Sequence, residues 1–370
     1  MINTVQKKPA KRFGPGYFIR EQLELREWNQ EDLAEITGFS QKHISEVLNN
    51  KKPVSIDLAR ILGEVFDTSA QYWLNLDAAY RIWLQETPTE KEKAADLKAM
   101  IYARMPVRDM IKKGWLRPPL HLDDLIAQVL QFWGKTKLDF RDMDEQWVPF
   151  LTRKSETFTA FNASYALTWY RKAQIEAEKI QVGPYKRQAL EALCEKLSTY
   201  TTDRSGVPAF LKDLGVAGVK FMVLPHLEKT YLDGAAFLDK DNPVIVYTGR
   251  YPRIDHFWFT LAHELAHVLL HLGAETPFIL DDLHNKTQSQ VEHEANTLAA
   301  QMLKHPQVYE ALKDDLHYLT TSKVEECAAT YGVHPAIIIG KLAHEGKMHF
   351  RNLHLYKENA LELIPGVFIH

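Results

Sequence analysis

At 370 residues, with 45% hydrophobic and 25% charged side chains, the chain is long enough for two or three folded domains, and wholesale disorder is excluded. A net charge of −3 gives no global attraction to nucleic acid, so any such binding must rest on local charge. Cys194 and Cys327 stand alone, which excludes a disulfide framework and a cysteine zinc site and marks both as buried small hydrophobes. With no leader-like start and no bilayer-length apolar run, the expected location is cytoplasmic, without membrane contact.

Lys7, Lys8, Lys11, Arg12 and Arg20 all precede the first acid, Glu21, and read either as a DNA-gripping arm or as a solvated basic tail. From Tyr17 to Leu84, short helices alternate with turn residues, and Leu33, Ile36, Ile44, Val47 and Leu48 fall at helical spacing. This predicts a five-helix first domain over 1–84. Within it, Asn29 caps a helix running to Thr37, Gly38-Phe39 turns the chain, and Ser40 caps a second helix from Gln41 to Leu48. Ala34, Gly38 and Ile44 then sit where a helix-turn-helix needs small or apolar residues. If the second helix reads DNA, Gln41, Lys42, Ser45 and Glu46 face base edges, with Gln41 suited to adenine and Lys42 to guanine. Gln30, Asn49, Lys51 and Lys52 stand where such motifs grip phosphates. Two amphipathic helices joined by a tight turn are also a common packing unit, and period alone leaves both readings open.

A charged stretch over 90–96 reads as a connector, and from about Leu97 to Thr202 a second helical region follows; the whole of 85–202 is read as a helical linker or sensor region with no legible phosphate loop, metal cluster or repeat. The period then changes. Val219–Leu224, Gly234–Leu238 and Val244–Tyr247 are short runs rich in apolar and β-branched residues bounded by turn residues, as antiparallel strands would be, and a long helix starts near His256. The fold class is mostly α with a small sheet: an all-α N-terminal domain, a helical linker or sensor region, and an α+β C-terminal domain over 203–370.

His263-Glu264-Leu265-Ala266-His267 places two imidazoles one turn apart on one helix face, able to hold one zinc ion, with Glu264 beside it. Its flanks are apolar, so the helix is expected to be buried, where unpaired imidazoles and a carboxylate are costly and metal ligation removes the cost. A catalytic zinc needs a third protein ligand. Glu292-His293-Glu294-Ala295-Asn296 follows on a helix, and its spacing suits Glu292 as that ligand and Asn296 as the partner that orients a ligand histidine, although a lone glutamate is more commonly just solvated. Glu294 points nearly opposite. His271 lies outside any three-histidine pattern and reads as a supporting or packing residue. The strand at Gly234–Leu238 is expected at the cleft rim, paired with an extended substrate. His256, His284 and Tyr247 remain open as oxyanion stabilisers, and none is assigned.

Two resemblances sharpen these readings. Gly14-Pro15-Gly16, Trp28 to Ala34, Ile44 to Pro53 and Thr68 to Leu76 are similar to the HigA branch of the XRE helix-turn-helix family. That resemblance implies dimers on palindromic double-stranded operators and an antitoxin role beside a toxin. Asp233 to Phe237, Val244 to Val246, Phe259 to His271 and Glu292 to Ala300 resemble the ImmA/IrrE metallopeptidases, with departures at Leu298 and at Lys304-His305-Pro306. Here the resemblance implies a thermolysin-like, gluzincin arrangement in which His263, His267 and Glu292 bind Zn2+ and Glu264 is the catalytic base. Together they imply a homodimeric regulator whose peptidase domain cleaves itself, a repressor or an antitoxin. The alternative is a non-enzymatic antitoxin or repressor with a structural or sensory zinc domain and a cognate toxin as partner.

Overall fold

The computed structural model describes residues 13–85, 89–147, 160–230, 232–273, 276, 278–282, 290–347, 356 and 358–370. Lys7, Lys8, Lys11, Arg12 and His284 lie outside them. The chain divides into two compact units, Met1–Asp96 and Leu97–His370, against the expected divisions at 84/85 and 202/203.

The first unit contains α1 (Pro15–Glu24), α2 (Gln30–Thr37), α3 (Gln41–Leu48), α4 (Ile56–Val65) and α5 (Ala70–Leu84). Side chains set four of the five starts. Asn29 accepts from the amides of Glu31 (2.7 Å) and Asp32 (3.0 Å), while Asp32 accepts from the Asn29 amide. Ser40, Ser55 and Ser69 accept from the amides of His43, Leu58 and Tyr72. Each such cap contributes about 1 kcal/mol. Leu33, Ala34 and Thr37 are the buried face of α2. Ile36, placed with the apolar stripe by its spacing, is 44% exposed because it lies roughly 110° around the helix from the centre of that face. Ile19, Leu33, Ile44, Leu58, Leu62 and Trp73 close the core. Gly16 brings α1 against α3, since a Cβ there would stand 1.9 Å from the Leu48 carbonyl oxygen.

α6 (Glu90–Tyr102) spans the division between the units. The second unit continues with α7 (Val107–Lys112), α8 (Leu122–Trp133), a π-turn at Met143–Trp147, α9 (Ala160–Ala177), α10 (Arg187–Glu195), α11 (Leu197–Tyr200) and α12 (Gly206–Val216). Then come β1 (Lys220–Val223), β2 (Leu232–Asp239), β3 (Asn242–Tyr247), α13 (Ile254–Leu270), β4 (Phe278–Asp282), α14 (Gln290–Met302), α15 (His305–Leu312), α16 (Thr321–Tyr331) and α17 (Pro335–His344).

The sheet order is β1-β3-β2-β4. β2 pairs antiparallel with both β3 and β4, but β1 runs parallel to β3, unlike the expected all-antiparallel set. The chain reverses between β1 and β2 and again between β2 and β3, so β3, inserted between them, runs with β1. Both faces of the sheet are covered, so its strands read as unbroken apolar runs. Phe221, Val223, Ala236, Ile245 and Tyr247 pack with α10, α12 and α13. Met222, Ala235, Phe237, Val244, Val246 and Phe278 pack instead with Ile101, Met110, Val129 and Trp169 from α6 to α9. Residues 97–180, read from sequence as part of a linker or sensor region, therefore supply half of the core around this sheet. Trp169 fastens them by donating its indole N–H to the Pro225 carbonyl at 3.1 Å.

α13 is buried from Ile254 to Leu269 apart from His256 and Phe259, because it is sandwiched between the sheet and its helical neighbours α10, α14 and α17. Cys194 and Cys327 are buried, as expected, and burial pushes the Cys194 thiol up to about 12. Among the described residues, no helix is long and apolar enough to cross a membrane.

Candidate functional site

Two of the three expected ligand side chains come from α13 and one from α14. His263 Nε2 and His267 Nε2 lie 2.9 Å apart, Glu292 Oε2 is 3.3 Å from the first and Glu292 Oε1 is 3.7 Å from the second. The three ligand atoms lie within 4.8 Å of one another. Two imidazole nitrogens and a carboxylate aimed at one point form the borderline N/O donor set that Zn2+ takes with an open fourth position, so the residues fit that ion. His267 is wholly buried and His263 nearly so, whereas the Glu292 side chain is 27% exposed and is the solvent-facing member of the group.

Glu264 projects from the same helix toward β2 and is 0% exposed. Gly234 makes its place: a Cβ at that position would stand 2.1 Å from Glu264 Oε1 and 2.9 Å from Cδ. Gly234 pairs with Tyr247 on β3 and sits in the irregular stretch of the β2–β4 register between Leu232 and Ala235. A glycine inside a strand marks either a bulge or a close approach, and here it marks both. From sequence it reads as the first residue of the Gly234–Leu238 strand beside the turn at Asp233-Gly234, with no sign of the close approach of Glu264.

The substrate-pairing role expected of Gly234–Leu238 meets an obstacle. β2 does lie beside the site, but β3 occupies one edge and β4 the other, with Ala235, Ala236 and Phe237 registered on Leu280, Ile279 and Phe278. β4 is the outer strand on that side. Its apolar run is only three residues long, too short for the period to announce it.

Of the residues left open for charge stabilisation, Tyr247 is buried and donates its hydroxyl to the Tyr251 carbonyl at 2.8 Å. His256 pairs with Asp233 at 3.2 Å. Asn296 is half-buried one turn beyond Glu292. Glu294 is not one of the three clustered ligand residues, but instead of pointing nearly opposite it meets His271 on α13, whose ring also meets His267. Hydrogen bonds from His271 and then Gln290 hold the Glu294 carboxyl below the usual carboxylate range.

Phe259 stacks between His263 and His305, with ring centroids 6.3 Å and 6.2 Å away. His305 is 6% exposed, and neither ring nitrogen has a partner among the described residues. Burial, followed by the Lys341 charge, pushes its pKa down to about 3. The ring is therefore neutral in the folded chain near pH 7. Because the folded value lies below the unfolded one, the unfolded chain binds the extra proton, and stability falls as pH drops below about 6.5 toward 3. His305→Leu removes both the titration and the unmet polar atoms. In chemical denaturation it is expected to be roughly 1 kcal/mol more stable than wild type at pH 7, with the gap widening by about 1.4 kcal/mol per unit below pH 6. A pH-independent gap would contradict this assignment.

In the first unit, Gly38 takes φ +72° and turns α2 into α3, with Ala34 and Ile44 buried as expected. Gln30, Gln41, Lys42, Asn49, Lys51 and Lys52 are exposed, and Ser45 and Glu46 are partly so. Asn49 accepts from Arg20 Nη2 at 3.0 Å, which brings to the end of α3 a guanidinium that the sequence placed only in the basic tail. Lys52 Nζ meets His43 Nδ1 at 3.1 Å, and burial, then the Lys52 charge, lowers the His43 pKa.

The spacing Ala34, Gly38, Ile44 recurs as Ala328, Gly332 and Ile338 on α16 and α17, with Gly332 at φ +62°. There the second helix is buried along Ala336–Gly340, and Gly340 lies so close to Asp255 that a Cβ would stand 2.5 Å from its Oδ2. That pair is a packing unit. Only the pair in the first unit leaves the outer face of its second helix exposed.

Comparison with known families agrees with both halves. Residues 203–342 match the peptidase M78 family, described as the IrrE N-terminal-like domain, and residues 19–73 match the helix-turn-helix family. The chain thus carries an XRE-type helix-turn-helix domain at its N-terminal end and an IrrE/ImmA-like peptidase M78 domain in its C-terminal half. It is 35% identical over 65 residues to an uncharacterized HTH-type transcriptional regulator, YbaQ, of Escherichia coli, a match covering 18% of this chain and 58% of that protein. An uncharacterized HTH-type transcriptional regulator of Haemophilus influenzae is 29% identical over 72 residues, covering 19% of this chain and 67% of that one. The chain therefore spans little more than half the length of the YbaQ relative. A crystal structure of a hypothetical protein from E. coli shares 30% identity at a TM-score of 0.19, covering 23% of this chain and 99% of that one.

Proposed function

We propose that the chain is a DNA-binding transcriptional regulator of the antitoxin or repressor kind, whose C-terminal domain is a zinc-dependent endopeptidase that cleaves the chain itself or a regulatory protein partner. The observation that carries the peptidase half is the convergence of His263, His267 and Glu292 beside the buried Glu264. These three side chains would hold Zn2+, Glu264 would be the catalytic base, and Asn296 a supporting neighbour. When bound, the ion would lower the pKa of a water toward about 7 and polarise a peptide carbonyl. Glu264, held against Gly234, takes a proton from the attacking water and passes it to the departing amine, so the water oxygen joins the carbonyl carbon as the C–N bond breaks.

The exposed face of α3 supports the other half. Gln41, Lys42, Ser45 and Glu46 would meet base edges of double-stranded operator DNA, while Gln30, Asn49, Lys51 and Lys52 would hold phosphates, in a cytoplasmic homodimer matching a palindrome. By fluorescence anisotropy on DNA from the gene's own upstream region, Lys42→Ala is expected to lose roughly tenfold or more in affinity for that sequence and little for random DNA. Lys51→Ala is expected to weaken both alike and to lower the salt slope by about one. Equal losses on both DNAs for Lys42→Ala would remove it from base readout.

The complete burial of Glu264 favours one second reading, a non-enzymatic antitoxin or repressor whose zinc domain is structural or sensory and whose partner is a toxin. Stoichiometric zinc without cleavage in the wild-type chain distinguishes it.

A further inference from the structure

The ligand face of α13 continues one turn beyond His267. His271 Nδ1 lies 3.1 Å from His267 Nδ1, and His271 Nε2 lies 3.0 Å from Glu294 Oε2 on α14. Gln290 Nε2 donates to the other Glu294 oxygen at 2.7 Å and holds the carboxylate in place. The His271 side chain is 10% exposed and that of Glu294 44%, so the series runs from the solvent edge to a buried ring.

For neutral rings, the two contacts order the hydrogens along the series. An ionised Glu294 only accepts, so a neutral His271 must carry its hydrogen on Nε2 and leave Nδ1 as an acceptor. His267 must then carry its own hydrogen on Nδ1 to complete the 3.1 Å contact. Its Nε2 is left as a lone pair, and that atom is the one facing His263 Nε2 and Glu292. With the opposite tautomers, a lone pair on His271 would face the carboxylate and His267 Nε2 would carry a hydrogen into the ligand group.

We propose that His271 and Glu294 are positioning residues that fix the tautomer and ring orientation of His267 through a carboxylate–imidazole–imidazole relay. This inference rests on the metal reading of the preceding section. Outer partners of ligand histidines influence metal affinity by about 10–100-fold. Because Glu294 acts only through His271, its loss should not matter once His271 is gone.

The test measures zinc affinity of the full chain by competition with a chromophoric chelator, alongside melting of the metal-free protein. His271→Leu and Glu294→Ala are each expected to weaken zinc by about 10–100-fold. Glu294→Gln, whose amide oxygen still accepts, stays close to wild type. The double variant His271→Leu/Glu294→Ala matches His271→Leu alone. Glu294→Ala melts like wild type without metal, because its side chain is partly exposed. Wild-type affinity in both single variants, or additive losses in the double, overturns the relay. His263→Ala separates the two failures: if it loses zinc while the relay variants do not, the metal reading stands and the relay falls, and if it keeps zinc, the metal reading itself falls.

Discussion

Glu264→Gln is expected to keep its zinc and to lower peptide hydrolysis by about 10²–10⁴-fold, the range associated with removing a positioned general base. The amide is nearly isosteric, so the side chain stays in the space beside Gly234 and the His263, His267 and Glu292 group is undisturbed. What it loses is the capacity to accept a proton. The readout is self-cleavage of the purified chain, or cleavage of a co-expressed regulatory partner, followed by intact mass, with metal content measured on the same samples. Unchanged cleavage in Glu264→Gln would assign the hydrolysis to another group.

Gly234→Ala should produce a comparable loss without removing a single polar atom. The new methyl would stand 2.1 Å from Glu264 Oε1 and 3.2 Å from Cγ. Glu264 is wholly buried, so its carboxylate can yield to the methyl only by moving against neighbouring groups. Either the carboxylate is displaced from the reacting water or β2 shifts, and both degrade alignment, where an error of about 1 Å costs roughly 10²-fold. Zinc should remain, because the three atoms nearest to the methyl all belong to Glu264 and none to a ligand residue. Full activity in Gly234→Ala, with normal folding by circular dichroism, would show that the glycine is not required for the placement of Glu264.

The features legible in the sequence are those governed by neighbours along the chain. The caps at Asn29 and Ser40, the turn at Gly38 and the pairing of His263 with His267 one turn apart all depend on spacings of a few residues, which local sterics and hydrogen bonding settle. Features fixed by distant segments were not legible. β1 is parallel to its neighbour because the chain reverses twice before β3 inserts beside it, an arrangement that no local pattern encodes. β4 shows only three apolar residues, and Gly234 reads as an ordinary strand end until Glu264, thirty positions later, is seen against it. The helices of 97–180 carry no motif, yet they bury one whole face of the sheet. Ile36 shows the converse error: its period is right, but an eight-residue helix has only one short face to bury.

The same helix-turn-helix spacing occurs twice with opposite outcomes. On α2–α3 the second helix keeps Gln41 and Lys42 exposed, whereas on α16–α17 it is buried beside Asp255. Spacing specifies the turn in both pairs. Exposure of the outer face separates a surface able to meet DNA from a packing element, and exposure depends on what the rest of the chain lays over it.

On the proposed reading, one zinc ion is held between two helices at His263, His267 and Glu292. That reading is tested most directly by metal content per chain, using inductively coupled plasma mass spectrometry on purified wild type, His263→Ala and Glu292→Gln after dialysis against a weak chelator. About one zinc per wild-type chain is expected, with close to none in His263→Ala and a strongly reduced content in Glu292→Gln. Stoichiometric zinc in His263→Ala, or none in the wild-type chain, would contradict that reading.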